Sequence, residues 1–359
     1  MRRLHGSSKA ALVTRQFSSG PTGRHSKVTA RELTMNAIAH MDETSIDSGV
    51  PWHYGDPFKE QRELVAGRGR VDLSHRGVVT VCGVDRKSWL HSITTQDFES
   101  PIAHLTSLIL SPHGHIEHDI HAIDDGETTW ISCEPGTVND LMNYLMSMKF
   151  MLRVEVTDVS DQIAIVGAPG WITSETFPVW HSSGVFVVGS EFVDKYVAKR
   201  PGDWKVSEIF VPRADLAQVM SQETPVGTWA WEAHRIRAGV PRLNFETDHK
   251  TIPHELGLIA SSVHLNKGCY RGQETVARVY NLGKPPRRMV QLELDGSTND
   301  TPLIGDAVLW DEKVVGRVTS VTQDFESGPL ALAVIKRSVP TDAVLTAGTV
   351  SASQTVIVE

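Results

Sequence analysis

Cysteine is scarce: Cys82, Cys133 and Cys269 are all that the 359-residue chain contains. An odd number of widely spaced thiols excludes a disulfide framework and a CxxC zinc site, and fits a reducing compartment. Long apolar runs are missing too. No stretch approaches the roughly 18 residues that cross a bilayer, and no signal-peptide core of sufficient length precedes the body, so the sequence predicts a soluble protein with no membrane partner. Neither GxGxxG nor GxxxxGK[ST] occurs, which removes the familiar nucleotide-phosphate cradles. Acid is absent from the first 31 residues, which carry seven Lys and Arg.

What is present is an ordinary globular composition, 40% hydrophobic and 22% charged, which excludes a disordered, collagen-like or coiled-coil chain. The length predicts two or three domains. The net charge of -8 hides an asymmetry, because the basic leader leaves -15 for the remaining 328 residues. An acidic body argues against a broad duplex-binding surface, while a local basic patch stays open. The Arg- and Ser-rich start has the composition of an organellar transit peptide, and equally that of an over-extended reading frame with Met35 or Met41 as the true start. Residues 1–45 are therefore set aside as a disordered extension. The compartment reads as cytoplasm, or as mitochondrial matrix if the extension is a transit peptide.

Periodicity predicts an α+β protein. Residues 56–66 read as an amphipathic helix stopped by Gly67, residues 71–81 as a strand, and residues 85–94 as a helix with Asp85 as N-cap. Strands follow at 105–110, 116–123 and 128–133, then a helix at 137–150, an order that resembles a split βαβ layer. A second unit begins near Arg153, with strands at 154–157, 163–166, 185–188 and 205–211 and helices at 215–222 and 228–237. After Pro285-Pro286 the texture becomes all-β, over 289–294, 307–310, 313–321, 330–335 and 349–358, as in a small barrel. The expected domains are thus 46–152, 153–284 and a C-terminal β-barrel over 285–359.

The most informative stretch is KGCYRGQETVAR, residues 267–278. From Lys267 to Arg288 six basic residues (Lys267, Arg271, Arg278, Lys284, Arg287, Arg288) accompany one acid, Glu274, which implies an anionic partner. A helix starting near Gly272 would put Cys269 just before its N-terminus, beside Lys267 and Arg271, surroundings that favour a thiolate. The competing reading is a small packing cysteine in a solvated basic face.

KGCYRGQE resembles the hallmark of the YgfZ family of folate-binding proteins, and the resemblance extends over residues 52–350. VDLSHRGVVTVCGVDRKSWLHSITTQD looks like the family's N-terminal block, and VVGRVTSVTQDFESGPLALAVIKR like its barrel block. This family is related to the glycine-cleavage T-protein, an aminomethyltransferase that uses tetrahydrofolate. The resemblance implies a three-domain GcvT/YgfZ-like fold around a central folate cavity, with tetrahydrofolate or a one-carbon-substituted form as cofactor. It also implies iron-sulfur client or assembly proteins as partners, including a tRNA-thiomethylating enzyme as an indirect tRNA link.

Carried over by position, the resemblance makes Cys269 the functional thiol and Lys267, Tyr270, Gln273 and Glu274 folate-binding residues in motif positions, with Arg271 in a variable slot. The T-protein pattern GGIxDD falls on SPHGHIEHDI, placing Asp119 at the acid that contacts folate and His118 at the other acid. A carboxylate there can position an amine or move a proton, whereas Asp119 by itself reads as a solvated strand residue. AHRIRAGVPR resembles LRxxAGxP and places Arg235 in support of the folate site, against the alternative of an i,i+3 pair with Glu232. The T-protein run GYTGE has no counterpart before WKVSEIFVP, which weakens a full aminomethyltransferase site.

Strand geometry would put His115, Glu117, Asp119 and His121 on one face, but about 7 Å between same-face neighbours favours a polar cavity lining over a metal centre. Three functions follow: a folate-binding accessory protein for iron-sulfur assembly or repair, a folate-dependent aminomethyltransferase, and an RNA-docking module built on Lys284, Arg287 and Arg288. The first is preferred.

Overall fold

The computed structural model describes residues 39–101, 104–182, 196–297 and 300–359. The chain divides into a unit 1–36, outside these residues, and a unit 37–359 that holds everything below. The latter opens with β1 (His40–Met41), β2 (Pro51–His53), α1 (Pro57–Val65), β3 (Arg70–Asp72), β4 (Gly77–Cys82) and α2 (Arg86–Ile93). There follow β5 (His104–Leu110), β6 (Ile116–Asp124), β7 (Thr128–Cys133), α3 (Val138–Met148) and β8 (Glu155–Asp158). Next come β9 (Ile163–Pro169), β10 (Val179–His181), β11 (Val206–Pro212), α4 (Leu216–Met220), β12 (Pro225–Val226), α5 (Thr228–Arg237), α6 (Ile259–Ser262) and α7 (Gln273–Leu282). The C-terminal strands are β13 (Arg287–Leu294), β14 (Ala307–Trp310), β15 (Lys313–Asp324), β16 (Gly328–Lys336), β17 (Leu345–Ala347) and β18 (Val350–Val356).

These elements form the mixed α+β architecture the sequence predicts. One antiparallel sheet has the order β5-β6-β7-β4-β8, a second has β10-β11-β9-β3-β12, and the six C-terminal strands close into a barrel, β13-β16-β15-β14-β17-β18. Helices α2 and α3 bury Trp89, Leu90, Leu141 and Leu145 against Val79, Ile120 and Ile131 on one face of the first sheet. A separate cluster joins the parts: Leu108 and Ile116 of the first sheet, Ile236 of α5, Val276 of α7 and Met289 and Leu332 of the barrel share one apolar core.

Several elements differ from expectation for local reasons. VDLSHRGVVTV is two strands in two sheets, since Asp72 Oδ1 accepts the Ser74 N–H at 2.9 Å and turns the chain before Gly77. The strand placed at the start of the second unit is β8, which pairs with the free edge of β4 in the first sheet. The strand expected at 185–188 lies outside the described residues. His40–Met41, set aside with the N-terminal extension, pairs with β2, with His40 stacked on His53 at 4.3 Å. The short strands β10, β12 and β17 have no counterpart among the expected elements, because two or three residues carry no readable period.

Candidate functional site

Strand alternation builds the central site. Along β6 the side chains of His118, Ile120 and Ala122 are buried on the helix-covered face, Ile116 joins the core shared with the barrel, and Asp119 and His121 project to the opposite face. That face, the second sheet and α5 enclose a cavity of about 510 Å³, lined among others by Asp119, His121, Glu134, Trp180, Glu208 and Trp231. The His121 ring stacks on Trp180 at 3.8 Å and 2°, and its Nδ1 lies 2.9 Å from Glu208 Oε1. The Trp180 indole is held in turn by donating to the Leu105 carbonyl at 2.9 Å.

Asp119 stands out in this wall. Its Oδ1 is shut off from water and has no hydrogen-bond partner. Burial pushes the carboxyl up to about 6; His121 and Arg76 oppose that rise and Glu134 and Glu208 add to it. Glu208, in the same wall, goes the other way. Burial alone would raise it, but Arg76, His121 and the Ser132 hydroxyl, which donates at 2.6 Å, hold it at about 2. Other charges of the wall are paired: Arg76 meets Glu134 at 3.0 Å, and Arg242 meets Glu134 at 2.7 Å and Asp47 at 2.6 Å.

Arg235 also reaches the cavity wall, but its fork is spent inside the protein. It donates to Glu232 at 2.8 Å, Ser320 Oγ at 2.8 Å, the Val240 carbonyl at 2.6 Å and Glu246 at 3.2 Å. The i,i+3 pair with Glu232 therefore exists, within a buried network that ties α5 to the barrel.

The KGCYRGQE residues, expected to bind folate, lie apart from that cavity, and none of them lines it. The Lys267 ammonium donates to the carbonyls of His91, Thr94 and Gln96, the latter two at 2.7 and 2.9 Å, and burial lowers it to about 8. Cys269 is exposed, three residues before the Gly272 N-cap of α7. Tyr270 is buried, and burial raises its phenol. Its N–H donates to Gln273 Oε1 at 3.3 Å, and the Gln273 N–H returns to the Tyr270 carbonyl at 3.2 Å. Glu274 is exposed in the first turn of α7, where its charge suits the helix dipole.

The local basic cluster is largely neutralised within the fold. Arg271 pairs with Glu117 at 3.0 Å, Arg287 with Asp248 at 2.6 Å and Glu255 at 2.7 Å, and Arg288 donates to the Val339 carbonyl at 2.8 Å. Arg278 and Lys284 remain exposed. The RNA-docking reading loses two of its three named residues to these contacts. The histidine-rich strand also disperses: His115 sits in the β5–β6 turn, Glu117 turns to Arg271 and His121 to Glu208. Among the described residues no three His, Cys, Asp or Glu side chains converge as a metal ion would need.

Arg76, Glu134, Glu208 and Arg242 do not stand out in the sequence as site residues. One signal was available, a charged residue inside the apolar run of WKVSEIFVP, since Glu208 can be buried there only with partners.

No family model matches the chain. A chloroplastic protein of Arabidopsis thaliana described as a transferase is 27% identical over 295 residues, covering 74% of this chain and 65% of that relative, so the chain spans about two thirds of its length. The tRNA-modifying protein YgfZ of Aliivibrio fischeri is 25% identical over 293 residues, 76% of this chain and 86% of the relative. A mitochondrial iron-sulfur cluster assembly factor homologue of Aspergillus fumigatus is 23% identical over 328 residues, 77% of this chain and 72% of the relative. In fold, the chain is similar to the glycine cleavage system aminomethyltransferase T of Bartonella henselae, with TM-score 0.71 and 17% identity over 91% of this chain and 95% of that one.

Proposed function

We propose that the chain is a YgfZ-type member of the glycine-cleavage T-protein superfamily and a tetrahydrofolate-binding accessory protein for iron-sulfur cluster assembly or repair, with Cys269 as its working thiol. The observation that carries the folate half is the buried, unpartnered Oδ1 of Asp119 in an aromatic-walled cavity. A buried acceptor without a donor is costly unless a ligand completes it, and a reduced pterin presents N–H donors beside its planar pyrimidine ring. Asp119 would accept from those donors, with Trp180 and Trp231 as apolar walls. Bound tetrahydrofolate would supply a nitrogen that carries one-carbon units. The chain's own part is to keep the Asp119 carboxyl dry and to pair the charges around it, Arg76 with Glu134 and Glu208, so that the Asp119 acceptor is left for the ligand.

The thiol half rests on exposure. Cys269 faces solvent rather than the cavity, so it is available to another protein. A role in iron-sulfur maintenance also unites the descriptions of two relatives, tRNA modification and cluster assembly, because a tRNA-thiomethylating enzyme depends on its cluster. We place the protein in the cytoplasm, or in an organelle if the basic leader is a transit peptide.

The test scores binding and rescue separately. Asp119→Ala is expected to weaken tetrahydrofolate binding by at least about tenfold in calorimetry, the loss of one charge-assisted hydrogen bond; unchanged affinity removes the cavity assignment. Cys269→Ala is expected to bind tetrahydrofolate normally and fail to restore iron-sulfur enzyme activity in cells lacking the gene. Full rescue refutes the thiol role. Turnover of aminomethylated carrier protein at enzymatic rates would reassign the protein as a transferase.

A further inference from the structure

We infer that Lys267 is a positioning residue, whose ammonium fastens the Cys269 loop to the C-terminal end of α2 and so sets where the thiol stands. The inference rests on the thiol role proposed above. An ammonium has three N–H donors, and three carbonyls receive them: His91 in the last turn of α2, then Thr94 and Gln96. Carbonyls at a helix C-terminus lack intrahelical donors and carry partial negative charge, so a cation there satisfies both deficits. The same ammonium lies 5.3 Å from the centre of the Tyr270 ring. Asp97 and Glu99 face it and favour its charged form.

The loop is fastened at its other end as well. Gly272 packs so tightly on the β5–β6 turn that a Cβ would lie 2.7 Å from the Ser111 carbonyl oxygen, and Arg271 is paired to Glu117. Between these anchors Gly268 has open space around it and Cys269 is exposed. The thiol therefore sits midway along a short span tied at both ends. The segment that receives Lys267 also reaches the cavity: Thr95 Oγ1 donates to the Ser262 carbonyl at 2.6 Å and Gln96 Nε2 to that of Ser261 at 3.4 Å, and both serines line it. Thr95 and Gln96 thus bond two residues of the cavity wall, and Lys267 is the side chain that joins the thiol loop to their segment.

The experiment uses the full chain as Lys267→Met, which keeps the length and removes the charge, and Lys267→Arg, which keeps the charge. Loop docking is read as the rate of tryptic cleavage after Arg271, which tracks local opening, and a rise of about tenfold or more is expected in the Met variant and no more than about threefold in the Arg variant. Tetrahydrofolate affinity is expected to stay at the wild-type level in both, with rescue of iron-sulfur enzymes lost in the Met variant and retained in the Arg variant. Wild-type cleavage and rescue in the Met variant overturn the inference. So does a loss of global stability in both variants, which would make Lys267 part of the general core. If the Met variant opens the loop yet rescues while Cys269→Ala does not, the clamp is irrelevant to the thiol; if Cys269→Ala rescues too, the thiol reading fails and the docking role stands.

Discussion

An ionised Asp119 is a charge facing its own neighbours Glu134 and Glu208, with Oδ1 unpaired. Its ordinary value is 3.8 and its folded value about 6, so the unfolded state gives up its proton first as pH rises. Stability from this group is therefore full below about pH 4, falls between about 4 and 6, and stays lower above. Asp119→Asn is expected to raise stability at pH 7 by about 1–3 kcal/mol, since each tenfold change in proton affinity is worth about 1.4 kcal/mol, and to flatten the profile between about pH 4 and 6. Urea melts at pH 4 and pH 7 check this, and a variant no more stable at pH 7 would show that Asp119 is not strained. Glu208 has the opposite sign. Its folded value near 2 lies below the usual 4.5, so its contribution is present above about pH 4.5 and is lost as pH falls toward 2. A protein that retains the first carboxylate while pairing the second tolerates instability where a ligand would relieve it.

The glycines of KGCYRGQE separate a structural position from a permissive one. Gly272 has φ +83°, and a Cβ there would collide with the β5–β6 turn, while the Cβ of an alanine at Gly114 would come within 2.7 Å of Thr275. The two glycines let the motif loop and the SPHG turn interlock, which brings two sequence-distant motifs together. Gly272→Ala should cost about 2 kcal/mol or more, from the left-handed backbone and the clash together. Gly268→Ala, with nothing within 4 Å, should cost less than about 0.5 kcal/mol. Equal melting temperatures for the two variants would refute this account.

Arg242 shows how the parts are held in one arrangement. Its guanidinium bonds Asp47 from the N-terminal segment, Glu134 at the end of β7 and Glu232 of α5. The neighbouring acids hold the Arg242 guanidinium well above its ordinary value, and His75 and Arg242 hold Asp47 well below the usual carboxylate range, each against the effect of burial. Arg242→Met would strand these carboxylates without their cation. Removing one partner of such a buried network costs about 3–5 kcal/mol. The variant is expected to lose that much in urea unfolding, and a loss under about 1 kcal/mol would mean that water replaces the guanidinium.

The barrel, the helices at α1, α2 and α5 and the α+β class were legible because each depends on local periods: Thr228–Arg237 matches its predicted bounds, and the run after Pro285-Pro286 closes as a barrel. The motif KGCYRGQE stood out as unusual chemistry, while Asp119 was singled out by the family resemblance alone, since by itself it reads as a solvated strand residue. Pairing was not legible. A basic run in sequence says nothing about whether Lys267 finds three carbonyls or Arg287 two carboxylates, since those partners lie 32 to 176 residues away. Nor could spacing reveal that Asp119 and Cys269 occupy different surfaces. Local order follows from neighbouring residues along the chain, while burial, ion pairing and the separation of the motif from the cavity depend on which distant segments share a dry interior, and only the folded arrangement decides that.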